Sequence, residues 1–377
     1  TSAYLAHGLM NIMDKSFFGK TGITTDKPVS PYLTWEKTRQ YDLGLDMDMF
    51  NYRLNVKLDY YYKYTSSLIY DIPIPGSLYA FGAQVENAME ISNEGLELEL
   101  QADILRESAV SWRMKFNMAR NWNRFEKSYS GKDVVDGDGT LLVVGRPLNG
   151  LYVWAHRGYY NSDAEVPRLY KIDGQEIYFN GVATNGISGA VGDYRLLDLD
   201  GDGNPDSYYA GSPLPLAHGG WVNELMWKNF DLNVLVNFTI GRKMINNRMG
   251  LGFSRQSEDG HLTKLFDYRK LRPWDGVNKK PNAPAWGNSL SMNTDSAIEK
   301  VHHLALKQIT LGYNLPDRIS KKAGLSGVRF FLTAENLFYL SNYSGGNPEV
   351  VNIYTGRDNG DTYPLPRKYT LGLTLNF

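Results

Sequence analysis

Apolar side chains in this chain recur at every second position over stretches longer than an ordinary soluble strand. From Tyr52 to Tyr64, one parity carries Tyr52, Leu54, Val56, Leu58, Tyr60, Tyr62 and Tyr64; the other carries Arg53, Asn55, Lys57, Asp59, Tyr61 and Lys63. Successive side chains of a strand point to opposite faces, so such a stretch predicts one apolar and one polar face. The same pattern fills Tyr41–Met49, Leu96–Ile104, Val110–Met118, Phe230–Ile240, Val328–Ala334 and Tyr369–Phe377. Leu304–Tyr313 changes parity near Lys307–Gln308, which predicts a bulge. Gly220–Trp227 alternates poorly and is placed mainly by its position. Nine strands result, and Tyr4–Met13 alternates too weakly to add another.

A soluble antiparallel sandwich would alternate as well. Several of these strands, however, reach about ten residues or more, the length that crosses a bilayer at a tilt. Soluble strands centre on about five or six. The second strand also gathers its tyrosines at one end, as an interfacial girdle does. The expected fold is all-β, a transmembrane antiparallel β-barrel. Composition narrows the rest: 40 basic against 41 acidic residues gives a nucleic-acid partner no electrostatic support. The absence of cysteine removes disulfides, zinc-thiolate sites and thiol nucleophiles together.

Connection lengths set the orientation. Short links fall at Phe50–Asn51, Leu105–Ala109 and Lys228–Asn229, with a moderate one at Leu315–Gly327. Long ones fall near 65–90, 125–218, 243–303 and 337–367. Outer-membrane barrels combine short periplasmic turns with long extracellular loops. A periplasmic C-terminus then puts residues 1–36 outside the cell. Single-chain bacterial barrels have an even strand count and begin inside, so nine strands predict one part of a longer barrel.

A series of short motifs runs along the chain in order. They are Pro31-Tyr-Leu-Thr-Trp-Glu-Lys-Thr-Arg-Gln40, Asp59-Tyr-Tyr-Tyr-Lys-Tyr-Thr65, Asn93-Glu-Gly-Leu-Glu97, Gly145-Arg-Pro-Leu148, Gly192-Asp-Tyr-Arg195 and Asp198-Leu-Asp-Gly-Asp-Gly203. Leu306-Lys-Gln-Ile-Thr-Leu-Gly-Tyr-Asn-Leu-Pro316, Glu335-Asn-Leu337, Tyr343-Ser-Gly-Gly-Asn-Pro-Glu349 and Tyr363-Pro-Leu-Pro-Arg367 follow. Together they resemble the late barrel of SusC/RagA-like TonB-dependent outer-membrane transporters. Two positions depart from that pattern: Ala305 stands where the family usually has Arg, and Gln308 where it has Asn.

The resemblance implies a 22-stranded barrel in the bacterial outer membrane, of which this chain supplies the C-terminal part. It also implies a plug domain and a TonB box, neither of which is in this sequence. The implied partners are a SusD/RagB-like surface lipoprotein, TonB, outer-membrane lipid, the remainder of the same barrel, and an oligosaccharide or peptide cargo. The terminal run Tyr369, Leu371, Leu373, Leu375 and Phe377 resembles the signal read by the barrel-assembly machinery. Two competing readings make different predictions. A self-contained passive porin needs an even strand count and a periplasmic start; a soluble secreted carbohydrate-binding β-protein extracts without detergent.

Local chemistry is sparse. Asp198, Asp200, Asp202 and Asp206, with Gly203 at the turn, match the beginning of a Ca²⁺ loop. Position twelve is Tyr209 rather than a bidentate Glu, so an acidic turn without metal fits equally well. Asp136-Gly-Asp-Gly139 reads as a plain turn. No GxSxG elbow, P-loop or GxGxxG fingerprint occurs, and none of the six histidines has metal-ligand spacing with a carboxylate. Glu97 and Glu99 read as lumenal charge rather than a glycosidase pair, so no enzyme is expected. Tyr152, Trp154, Tyr159 and Tyr160 cluster in the longest connection, and Tyr208 and Tyr209 flank the acidic turn. Such rings suit stacking on sugars or peptides, and equally packing of the loop on itself or on a lid protein.

Overall fold

The computed structural model describes residues 10–25, 28–75, 82–106, 108–135, 141–166, 168–170, 176–178, 191–201, 206–247, 272–277, 280–285, 294–360 and 362–377. Nine strands follow one another through a single sheet: β1 (Lys37–Met49), β2 (Leu54–Pro73), β3 (Ala83–Leu105), β4 (Val110–Lys127), β5 (Ala217–Trp227), β6 (Phe230–Asn246), β7 (Ile298–Asn314), β8 (Gly327–Ser341) and β9 (Lys368–Asn376). Order in space equals order in sequence, the up-and-down meander of a barrel wall. The two-residue strand Arg357–Asp358 pairs parallel with β6 off this path.

Register turns the alternation into two faces. From β4 to β9, Val110, Trp227, Phe230, Tyr313, Phe330 and Leu373 pair in series. One step along lies Trp112, Leu225, Leu232, Leu311, Leu332 and Leu371. Both rows share the outward face, where Leu332 is 49% exposed and Phe338 52%. A continuous apolar surface of this kind needs a hydrocarbon solvent. The first row is an aromatic rail: Trp227 stacks on Phe230 at 6.3 Å, and Phe230 lies 4.7 Å from Tyr313. Residues of the opposite parity are polar, as in the row Arg113, Glu224, Asn233, Thr310, Thr333 and Thr370.

The two weakly patterned strands have physical reasons. In β7 the pairing with β6 jumps from Leu306 to Gln308 while β6 moves only from Val236 to Leu235, which leaves Lys307 as the extra residue of a bulge. In β5 an outward Asn223 breaks the apolar set, and its carbonyl oxygen accepts from the Trp112 indole at 3.1 Å. The polar group is thus satisfied inside the apolar face. Gly372 of β9 lies beneath the ring of Phe331, its cross-strand partner, where any Cβ would collide.

The connection expected near 65–90 is largely strand, because β2 continues to Pro73 and β3 starts at Ala83. Beyond Leu96 the parity that faces outward becomes polar, with Glu94, Ser92 and Glu90, so alternation stops marking strand there. Tyr60 donates to Glu94 at 3.2 Å and Tyr64 donates to Glu90. Ser67, at φ 56°, further interrupts the period of β2. A hairpin of Met10–Phe17 with Lys20–Thr25, where no strand was expected, forms its own two-stranded sheet.

Two compact units divide the chain. The first comprises Thr1–Leu45, Leu58–Glu97 and Asn121–Leu148. Its core is Met89, Phe125 and Leu142, with Leu68, Ile91 and Leu148 packed around them. The second comprises Asp46–Lys57, Leu98–Arg120 and Asn149–Phe377. It holds two small cores, one of Met244, Val301, Tyr343 and Val351 and one of Leu151, Val153 and Ile245.

Candidate functional site

The inner face is laced with ion pairs between strands. Arg113 meets Asp103 at 2.7 Å, Lys115 meets Glu224 at 2.9 Å, and Arg329 meets Asp231 at 2.5 Å. The first two pairs join adjacent strands and the third reaches from β6 to β8 over Gly312 of β7, so the charges cancel locally while the face stays wettable. Glu97 and Glu99 sit on this parity and are exposed.

The 342–360 segment is fastened to the wall at three points and tied to itself at a fourth. The Arg242 guanidinium, 6% exposed, donates to the carbonyls of Pro348, Val351 and Asn352 at 3.1, 2.9 and 2.7 Å. The Tyr343 hydroxyl donates to the buried Asp358 carboxylate at 2.7 Å. Ser344 donates to Glu299 through its backbone N–H at 2.9 Å and through its hydroxyl. Glu349 receives Lys307 at 3.2 Å and lies 3.5 Å from His303. The His303 ring, first, and the Lys307 ammonium hold the Glu349 carboxyl at about 2, below its ordinary value of 4.5. Asn347 caps the short 3₁₀ turn Pro348–Val350 by accepting from the Glu349 N–H at 3.0 Å. The run Tyr343–Glu349 is therefore a set of anchors. A cavity of about 220 Å³ opens beside it, lined in part by Lys307, Asn336, Tyr339, Glu349 and Arg367.

The longest connection folds on itself. Leu151–Trp154 pairs antiparallel with Ser207–Gly211, which sets Tyr152 opposite Tyr209 with rings 5.7 Å apart. His156–Tyr159 pairs with Tyr194–Leu196. Tyr159 stacks on Tyr194 at 5.4 Å, and His156 meets the same ring edge-on at 4.6 Å. Asp295, 139 residues from His156, binds its ring nitrogen and accepts from the Tyr208 hydroxyl at 3.2 Å. Burial raises the phenols of Tyr159, Tyr160, Tyr194 and Tyr208, and Asp295 adds to the rise at Tyr208, so these hydroxyls stay protonated donors. Tyr160 is buried, Tyr152, Trp154 and Tyr159 are half-buried, and of the six expected contact rings only Tyr208 is classed as exposed. Gly192, at φ +87°, lies against Trp274 and Ala285, where a Cβ would meet atoms at 2.7 and 2.5 Å.

In the acidic turn, oxygens of Asp198, Asp200 and Asp206 lie within 4.8 Å of one another. Asp198 accepts from the Gly201 N–H at 2.6 Å, and Asp206 accepts from Leu199 and Asp200 at 2.5 and 3.2 Å. Backbone donors thus already satisfy part of the cluster. Asp202 and the Asp136–Gly139 turn lie outside the described residues. Patterning did not single out Arg242, Glu299, His303 or Asp295, since each acquires its role from a distant segment. Arg242 carried one signal, a cation closing the apolar run Phe238–Ile240 next to Gly241 at φ +72°.

Residues 11–208 match the family described as TonB dependent receptor-like, beta-barrel. The TonB-dependent receptor P26 of Formosa agariphila is 30% identical over 383 residues, covering 95% of this chain and 36% of that protein. The TonB-dependent receptor SusC of Bacteroides thetaiotaomicron is 27% identical over 375 residues, covering 96% and 34%. The solved RagAB peptide importer in its closed-closed state shares the fold, with a TM-score of 0.76 at 23% identity, over 99% of this chain and 39% of that one. The chain spans about a third of the length of the curated relatives it matches.

Proposed function

This chain belongs to the TonB dependent receptor-like β-barrel family of the outer membrane, and from that premise we propose that it is the wall-and-loop portion of an active importer. The cargo is an oligosaccharide or a peptide, delivered by a SusD/RagB-like surface lipoprotein seated on the extracellular loops. TonB acts through a plug that other segments supply. The carrying observation is the pairing of an inside-out wall with a loop clamped to it by the Tyr343–Glu349 motif. A fixed rim of this kind suits a transporter whose partner must dock repeatedly in one geometry. The family is one of transporters and receptors, and no catalytic step is assigned to this chain.

Three local roles belong to the same reading. The outward residues Tyr369, Leu371, Leu373 and Leu375, with Phe377, form the assembly signal. Tyr208, with its exposed ring, meets cargo or lid, while Tyr152, Trp154, Tyr159, Tyr160 and Tyr209 hold the loop together. The acidic turn takes up Ca²⁺ weakly, because backbone N–H groups compete for its oxygens.

Uptake of labelled oligosaccharides and labelled peptides by cells carrying the full-length protein tests the proposal. Accumulation of one class, abolished by loss of TonB or of the lipoprotein, is expected. Uptake that persists without TonB means a passive pore instead.

A further inference from the structure

The periplasmic end of the wall carries cations that the fold does not use. The link between β7 and β8 contains the helical turn Asp317–Ser320 and the 3₁₀ turn Lys321–Ala323. Arg318, Lys321 and Lys322 are exposed, and none makes an ion pair among the described residues. The acid within the link is Asp317, and the Phe377 carbonyl oxygen accepts from the Ser326 hydroxyl at 3.2 Å. Basic residues on the neighbouring turns behave differently. Arg53 donates to the carbonyls of Asp103 and Ile104, and Arg106 donates to that of Asn51.

Placement gives the idle charges a meaning. Asn229 exchanges hydrogen bonds with Asn314 at 2.8 Å in both directions, which locks the β5–β6 turn to the start of the β7–β8 link. Lys228, in that first turn, lies 5.1 Å over the Trp227 ring. Trp227, Phe230, Tyr313 and Phe330 form the aromatic rail directly beside these turns. Rows of Trp, Tyr and Phe mark the level where hydrocarbon meets headgroups. The link is also rigid: Ser320 is fully buried, and the Ser326 N–H donates to Asn376 at 2.8 Å. Ile319, between the cations, is 53% exposed. A short segment with an exposed aliphatic side chain, unpaired cations and an aromatic border has the make-up of an interfacial anchor.

We propose that Arg318, Lys321 and Lys322, with Lys228 at their flank, bind the phosphates of anionic phospholipids in the periplasmic leaflet. Arg318 offers a planar fork for phosphate oxygens, while the three lysines act as point charges. Ile319 reaches toward the acyl boundary and Ser320 keeps the turn docked on the wall. The inference rests on the periplasmic assignment of the short turns and on no property of the cargo.

The test uses the full-length protein in mixed micelles containing either phosphatidylglycerol or phosphatidylethanolamine, with bound lipid counted by native mass spectrometry. Wild type is expected to retain phosphatidylglycerol preferentially. R318Q/K321Q/K322Q should weaken that retention by about fivefold per cation removed, whereas R318K/K321R/K322R should keep it. The extracellular control K132Q/K300Q should also keep it. Heat-modifiable gel mobility reports whether each barrel is folded; if the triple variant is not, K321Q and K322Q singly carry the test. Equal retention of both lipids by wild type, or unchanged retention in the folded glutamine variants, overturns the proposal.

Discussion

Val234 and Asn233 are neighbours in β6, yet they answer to different solvents, and the contrast extends to the whole wall against its loops. On the wall the large apolar side chains face outward and several inward charges are paired, as Asp231 with Arg329. In the 342–360 segment the order is reversed: Tyr343 and Val351 are buried, and so are the polar groups Arg242 and Asp358 that hold them. Lipid stabilises the first region by accepting its apolar surface. The second satisfies most of its buried donors and acceptors from within, as a small soluble domain does.

Arginine scanning of those neighbours exploits the contrast most directly. Val234 is the third of the outward residues from Phe230 to Phe238, near the middle of the band. Val234→Arg should cost roughly 2–4 kcal/mol, as cations do at the midplane of a barrel's lipid face. Asn233→Arg should cost under about 1 kcal/mol, since the new guanidinium faces Glu224 across the pair. Urea unfolding in lipid vesicles measures both. Equal penalties would mean that the two faces meet the same solvent.

Much of the wall was legible because the bilayer enforces it. Leu, Val and Phe at alternate positions between Phe230 and Phe238 leave one choice of face, so all nine strands and the Lys307 bulge could be read in advance. Legibility ended where lipid ends. Glu90 and Glu94 stand on the parity that carries Leu96 and Leu98, and there β3 continues with no alternation to reveal it. The loop anchors were opaque for a different reason. His156 and Asp295, or Arg242 and Asn352, lie more than a hundred residues apart, and their pairing depends on tertiary placement that no local period encodes. The Tyr343–Glu349 run showed as a motif, but its chemistry did not.

The next largest effect falls on the loops. Arg242→Met fills similar space but withdraws the donors from three carbonyls. The Pro348 and Asn352 carbonyls keep the N–H donors of Val351 and Gly356, whereas the Val351 carbonyl loses its donor, at a cost of about 1–3 kcal/mol. The loss should stay local: faster hydrogen exchange and protease cleavage across 342–360, with an unchanged barrel transition. A collapse of the whole barrel would show that the loops are not the independent layer described above.

Acid should loosen the same segment by a smaller amount. Glu349 titrates at about 2 when docked and near 4.5 when free, so its folded value is depressed. The stabilisation is complete above pH 4.5 and is lost as pH falls toward 2. Hydrogen exchange across 342–360, read over that interval, should rise at the acid end, and Glu349→Gln should flatten the profile while raising the baseline at neutral pH. The inward wall should show no matching change at Asn233 and Thr310, which carry no ionisable group.

The smallest effect lies on the inner wall itself, at Lys115 and Glu224. Their side chains are 45% and 29% exposed and 2.9 Å apart, so water screens the attraction and ordering two long side chains opposes it. A double-mutant cycle with Lys115→Met and Glu224→Gln should return a coupling below about 1 kcal/mol, shrinking further in high salt. The backbone ladder between β4 and β5 holds the strands together, so the pair adjusts the potential of the inner surface more than its stability. A coupling several times larger would mean that this face is dry. The division between a lipid-stabilised wall and self-satisfied loops would then have to be redrawn with the lumen on the loops' side.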